Sequence, residues 1–128
     1  MSAAYVDTSA LVAIAIAFGE EGGSALAERL EGFDELLSSN LLEAEFRSAL
    51  AREGVSGGGH ILSWITWILP NRTLSSEIDR VLDAGYLRGA DLWHLACALY
   101  VSEKPEELAF ISLDERQHEV ADALGFLR

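Results

Sequence analysis

The sequence has one cysteine, nine basic side chains against 21 acidic ones, and only short apolar runs. Each scarcity excludes something. Cys97 alone cannot form an intrachain disulfide. A formal net charge of −12 argues against a nonspecific nucleic-acid coat, which carries a basic footprint. It leaves room for a metal enzyme, because bound divalent cations change the local field. The longest apolar run, residues 10–18, is shorter than the roughly 20 residues that span a bilayer. The N-terminus has no basic region followed by a cleavable apolar segment. A soluble cytoplasmic protein with no membrane contact is the expectation. The sequence shows no internal repeat and no low-complexity segment. His60, His94 and His118 are too widely spaced for a metal-ligand pattern. Gly57-Gly58-Gly59 lacks the lysine and hydroxyl residue of a phosphate-binding loop.

What is present is a chain of 128 residues, half of them hydrophobic. That suits one folded domain with one core of ordinary size. Residues 3–6 read as a buried strand ending at Asp7. A helix over residues 10–18 follows, with Thr8 or Ser9 as its cap and Gly19 as its stop. Gly22-Gly23-Ser24 opens another helix, which ends near Gly32. Residues 35–38 read as a strand, and residues 41–52 as a helix capped by Ser39 or Asn40. Residues 61–68 are expected to be helical, with Trp64, Ile65 and Ile68 facing inward and Pro70 blocking any continuation. Ser75 or Ser76 begins a helix that runs to Gly85. Leu92, Leu95, Ala96 and Leu99 mark the buried face of a helix that starts at Gly89 and runs to about Ser102. Residues 108–113 read as a strand ending at Asp114, residues 117–124 as a helix, and Phe126-Leu127 as a last edge strand. Strands alternating with helices predict an α/β fold with a mainly parallel central sheet. Ligands of such folds sit beyond the carboxyl ends of the strands, where this reading puts Asp7 and Asp114.

Each acid has an ordinary explanation by itself. Asp7 can cap a helix, Asp91 can complement a helix dipole, Asp114 suits a strand-to-helix turn, and Glu45 can pair with Arg47 or Arg52. Gathered at one sheet edge they would repel: two unit charges 4 Å apart interact by roughly 4 kcal/mol at an effective dielectric near 20. A cation among them removes the conflict, and hard carboxylate oxygens with retained water suit Mg²⁺ or Mn²⁺.

Four stretches carry a family resemblance. Tyr5-Val6-Asp7-Thr8-Ser9-Ala10-Leu11-Val12 resembles the opening motif of PIN-domain proteins, especially the VapC-type toxins of toxin–antitoxin pairs. Ser39-Asn40-Leu41-Leu42-Glu43-Ala44-Glu45-Phe46-Arg47-Ser48-Ala49-Leu50 is similar to the second motif. Leu87-Arg88-Gly89-Ala90-Asp91-Leu92-Trp93-His94-Leu95-Ala96 is similar to the third. Phe110-Ile111-Ser112-Leu113-Asp114-Glu115-Arg116, with Ala123-Leu124-Gly125-Phe126 after it, resembles the fourth. They come in family order over almost the whole chain.

The resemblance implies a single PIN-like domain over residues 1–128, a three-layer α/β/α architecture, and a metal-dependent endoribonuclease. Its catalytic and metal-binding set would be Asp7, Glu45, Asp91 and Asp114. Asp7 and Asp91 would be the principal ligands of Mg²⁺ or Mn²⁺, with Glu45 and Asp114 completing the site directly or through water, and Thr8, Ser9 and Ser112 adding hydroxyl contacts. RNA would be the substrate, a cognate antitoxin the partner, and a homodimer the working form. Two acids compete for the second position. Glu43 has Arg47 at i+4 as an ordinary surface partner, whereas Glu45 precedes the hydrophobic residue and Arg-x-Ala-Leu of the motif. Arg88 or Arg116 could contact phosphate, but surface salt bridging is the expected role for either. Gly89 and Trp93 depart from the usual motif and bear on packing more than chemistry. The alternatives are a PIN-like binding or scaffold module without significant activity, and a metal-dependent DNA nuclease.

Overall fold

The computed structural model describes residues 2–16 and 21–128, with the backbone alone for residues 21–24. Strand β1 (Ala3–Val6) lies inside a sheet of order β3-β2-β1-β4 in which every pairing is parallel. Strand β2 (Glu35–Ser39) and strand β4 (Ala109–Ile111) flank it, and strand β3 (Ile65–Ile68) forms one edge. Parallel sheets need both faces covered, so their strands are apolar on both sides. The chain supplies this with period-two alternation. Ala4, Val6, Ala109 and Ile111 face one core, whereas Tyr5 and Phe110 face the other.

The first core packs under helix α1 (Thr8–Ile16), helix α2 (Glu21–Glu31) and helix α3 (Leu41–Arg52), through Leu11, Ile14, Leu30, Leu42 and Phe46. The second packs under helix α4 (Ser75–Ala84), helix α5 (Gly89–Val101) and helix α6 (Glu115–Leu124), through Val81, Leu95 and Val120. Three layers result. Tyr5 and Phe110 stack at 5.4 Å between ring centroids and tie the two inner strands together. From β1 the chain works outward through β2 to β3, then returns to place β4 on the other side of β1. The carboxyl ends of β1 and β4 therefore border the point where strand order reverses, the usual place for a ligand crevice in open α/β sheets.

The helix expected over residues 61–68 is not formed. A 3₁₀ turn (Gly59–Trp64) runs straight into β3. Ile65-Thr66-Trp67-Ile68 is β-branched and aromatic, which suits a pleated surface, and it pairs with Leu36 to Ser39 in register. Helix α1 starts two residues before the expected Ala10, and its cap is Asp7 rather than Thr8 or Ser9: the Asp7 carboxylate accepts the Ala10 N–H at 3.2 Å. Phe18 and Gly19, expected in and after that helix, lie outside the described residues. The strand expected over residues 108–113 is shorter, Ala109–Ile111, and α6 begins at Glu115 rather than Gln117. Leu127 forms a single parallel bridge to Ala109, so the tail adds one rung to the sheet and not a full strand. No helix among the described residues is long and apolar enough to cross a membrane.

Candidate active site

Asp7 follows the last residue of β1, and its own N–H continues the ladder by donating to Ile111 O at 3.1 Å. The side chain is 3 % exposed. Oδ1 accepts the Ser9 hydroxyl at 2.7 Å in addition to the Ala10 N–H. Oδ2 lies 2.7 Å from Ser112 Oγ, just beyond β4. Burial pushes the Asp7 carboxyl above its ordinary range, and these hydrogen bonds act against that rise. Ser112 Oγ has one proton and two acceptors in reach, Asp7 Oδ2 and, at 3.0 Å, Gln117 Oε1. It also accepts the Asp114 N–H at 3.0 Å.

Asp114 caps α6, with Oδ1 accepting the Gln117 N–H at 2.9 Å. Gln117 is fully buried and donates its side-chain N–H to Asp91 O at 3.2 Å. The start of α5 is thereby tied to the start of α6. Asp91 occupies the first turn of α5, partly buried, and its carboxylate accepts no hydrogen bond among the described residues. Burial raises its pKa, and the charges of Asp114, Asp7 and Glu45 raise it further. All four expected acids thus meet electrostatically at Asp91, each delivered by a different part of the chain.

Glu45 and Glu43 separate by surroundings. Glu43 accepts the Arg47 guanidinium at 2.7 Å on the surface. Glu45 pairs with neither Arg47 nor Arg52; Arg52 instead lies 3.4 Å from Glu53. Glu45 Oε1 accepts the Thr8 hydroxyl at 2.7 Å and meets His94 Nε2 at 2.8 Å. The His94 bond is the main reason that the Glu45 carboxyl sits below its ordinary range. His94 is 1 % exposed. Its Nδ1 lies 2.7 Å from the Tyr5 hydroxyl, which also accepts the Ser39 N–H at 3.1 Å. The Tyr5 proton therefore goes to Nδ1, and Nε2 carries the hydrogen donated toward Glu45. Burial holds Tyr5 well above the usual phenol range, which keeps that proton in place. The spacing of His94 from the other histidines gives no metal-ligand pattern, and the structure gives it a different role. It is packed, and it also links β1 to α3. Its place three residues after Asp91, one helical turn on, was the available signal.

Trp93 donates its indole N–H to Ser39 Oγ at 3.0 Å, and the same oxygen accepts the Leu41 N–H at the start of α3. Cys97 is buried, and its thiol is pushed up to about 12, which makes it an inert core residue.

A cleft of about 290 Å³ opens beside the acids, lined by Tyr86, Leu87, Arg88, Asp91, Asp114 and Arg116. Asp7 and Glu45 lie outside its lining. Among the described residues, no three acidic, histidine or cysteine side chains stand close enough to hold one ion together. Mg²⁺ is commonly held by one or two carboxylates with several waters, so the hard oxygen donors of Asp91 and its neighbours suit such an ion.

No curated protein and no solved structure gives a significant match. A family model described as the PIN domain matches residues 4–123, from β1 through nearly all of α6. PIN domains generally use divalent metal ions. The matched region contains all four acids and all of the parallel sheet except Ala3, and the chain belongs to the PIN domain family, a nuclease-type domain.

Proposed function

We propose that this PIN domain is a metal-dependent endoribonuclease and the toxin of a type II toxin–antitoxin pair. The observation that carries the reading is the Asp91 carboxylate. It has no hydrogen-bond partner among the described residues, and it is destabilised by Asp7, Glu45 and Asp114. A structural carboxylate normally gains a donor or a cation; this one is left for a ligand.

Asp7 and Asp91 would hold Mg²⁺ or Mn²⁺, with Glu45 and Asp114 acting on it through bound water. A bound divalent cation supplies a more acidic water and offsets charge at a phosphodiester. The chain's own part is positioning. Ser9, Ser112 and Ala10 fix both oxygens of Asp7. Thr8 and His94 fix one oxygen of Glu45. Gln117 sets the spacing between Asp91 and Asp114.

The test is cleavage of single-stranded RNA in Mg²⁺ or Mn²⁺, with EDTA and Asp91→Asn as controls. Cutting that stops in both controls supports the reading; cutting that persists in Asp91→Asn removes it. The same assay on DNA of identical sequence and salt decides between the two nucleic acids. One observation favours the scaffold reading: among the described residues, six of the nine cations stand in ion pairs, leaving little positive surface for a polyanion. Under that reading no cleavage occurs in any metal. A homodimer and a cognate antitoxin would cover apolar surface such as exposed Ile16 on α1 and Leu69 after β3. Co-elution with the product of the neighbouring reading frame tests the antitoxin.

A further inference from the structure

Between α4 and α5 the chain runs extended over residues 85–88, and Tyr86, Leu87 and Arg88 line the cleft. Gly85 has φ 170° and ψ 157°, and Arg88 has φ −69° and ψ 161°. Alternation along this stretch sends Leu87 into the core and turns Tyr86 and Arg88 outward, Tyr86 with 71 % of its surface exposed. The stretch is seated firmly. Arg116 Nε donates to Tyr86 O at 3.2 Å, and a Cβ on Gly85 would come within 2.9 Å of Val120 Cγ2.

The two arginines of the cleft differ. Arg116 is committed, to Tyr86 O and to Glu119 at 3.0 Å. Arg88 forms no ion pair or hydrogen bond among the described residues through its guanidinium, although Asp91 and Asp114 line the same cleft. In a chain with a net charge of −12, a cation beside two carboxylates and paired with neither is available to an anion from outside. An exposed aromatic ring two residues away adds a flat apolar surface.

We propose that Tyr86 and Arg88 form a subsite for one nucleotide of a single strand, next to the position cut at Asp91. Arg88 takes the phosphate and Tyr86 stacks on the base. The subsite rests on the nuclease reading for its purpose but not for its chemistry, which is that of a phosphate and a base face. A base reaches an exposed ring only when it is free of a pairing partner, so the subsite selects single strands over duplexes. It has no group that reads a particular base edge, so its sequence preference is weak.

The test is binding of a fluorescent single-stranded RNA oligonucleotide, followed by anisotropy in EDTA over a salt series, so that no metal-dependent cutting occurs during the measurement, with cleavage in Mg²⁺ assayed separately. Tyr86→Ala is expected to weaken binding by about tenfold or more, the usual loss for one stacked base, and Tyr86→Phe to restore it to within about twofold. Arg88→Ala is expected to reduce the slope of log K against log salt by about 0.7, one phosphate contact on a single strand, and Arg88→Lys to restore the slope. Lys104→Ala removes a charge from the loop before β4 and is expected to leave the slope unchanged. Unlabelled duplex of the same sequence should compete poorly. Wild-type binding to both Tyr86→Ala and Arg88→Ala, or equal competition by duplex, overturns the subsite. A chain that shows these binding effects yet cuts nothing upholds the subsite and removes the nuclease reading, so the two fail separately.

Discussion

His94 is held at both ring nitrogens, and that fixes what it can offer Glu45. The buried hydroxyl of Tyr5 saturates Nδ1, so Nε2–H is the only donor left for the carboxylate. Two substitutions separate these functions. In His94→Gln the amide can still donate near the Nε2 position, whereas the shorter side chain of His94→Asn reaches toward Tyr5 and not to Glu45. Cleavage by His94→Asn is expected to fall by about 10–100-fold, the usual effect of removing an outer partner of a metal-binding carboxylate, with His94→Gln recovering much of it. Equal losses in the two would show that packing, not the donated hydrogen, is what matters. Tyr5→Phe leaves the Ser39 N–H and the imidazole without their buried partner, which is expected to lower stability by about 1–3 kcal/mol, read from urea denaturation. Asp7, Asp91 and Asp114 stand out in the sequence because each follows a strand or opens a helix, whereas Glu45 lies in the second turn of α3 and stands out only through its motif. The hydroxyl and imidazole groups that aim them are less legible there: Tyr5 and His94 are 89 positions apart, and no local pattern announces their bond.

At the scale of elements, helix periodicity found the interior helices and failed at β3. Ile61, Ile65 and Ile68 are all buried, and their i, i+4, i+7 spacing imitates one helical face. In fact Ile61 belongs to a 3₁₀ turn and the other two to a strand of only four residues whose ends face opposite cores. Short apolar runs do not distinguish helix from strand by period alone, and here only pairing with β2 decides. The strand ends were placed correctly at β1, because a run buried on both faces stops where the first acid appears. Residues 85–88 show the opposite dependence, on tertiary fit. Gly85 is extended, a conformation open to any residue, so its constraint is space alone. Val120 is buried and branched at Cβ, with little freedom to retreat. Gly85→Ala is therefore expected to cost about 1–3 kcal/mol through overpacking. It should also loosen the Tyr86–Arg88 stretch, weakening single-strand binding. A thermal melt coinciding with that of the wild type would show that α6 can shift to admit a methyl group.

Over the whole molecule, the net charge of −12 is a standing cost that a divalent cation can offset, and Asp91 is where this is most readily measured. Its folded-state pKa is raised, first by burial and then by Asp114, Asp7 and Glu45. A raised carboxyl favours the native state while protonated. Its contribution is fully present below the unfolded value near 3.9 and is lost as pH rises through the folded value. In EDTA at neutral pH, Asp91→Asn keeps the shape and removes the charge, so it is expected to melt above the wild type. That advantage should shrink as pH falls toward about 3.9, where the carboxyl is protonated in both states. Adding Mn²⁺ or Mg²⁺ should reverse the order. A ligand at a hundredfold excess over its dissociation constant stabilises the native state by about 2.7 kcal/mol, and only the wild type retains the carboxylate that receives it. The measurement is a set of thermal melts of both proteins across pH, with and without metal. If Asp91→Asn melts below the wild type in EDTA at neutral pH, the carboxylate is a structural support and not a ligand held in readiness. If it melts above and metal restores the order, the unpartnered acid at the start of α5 is a site kept at the expense of stability.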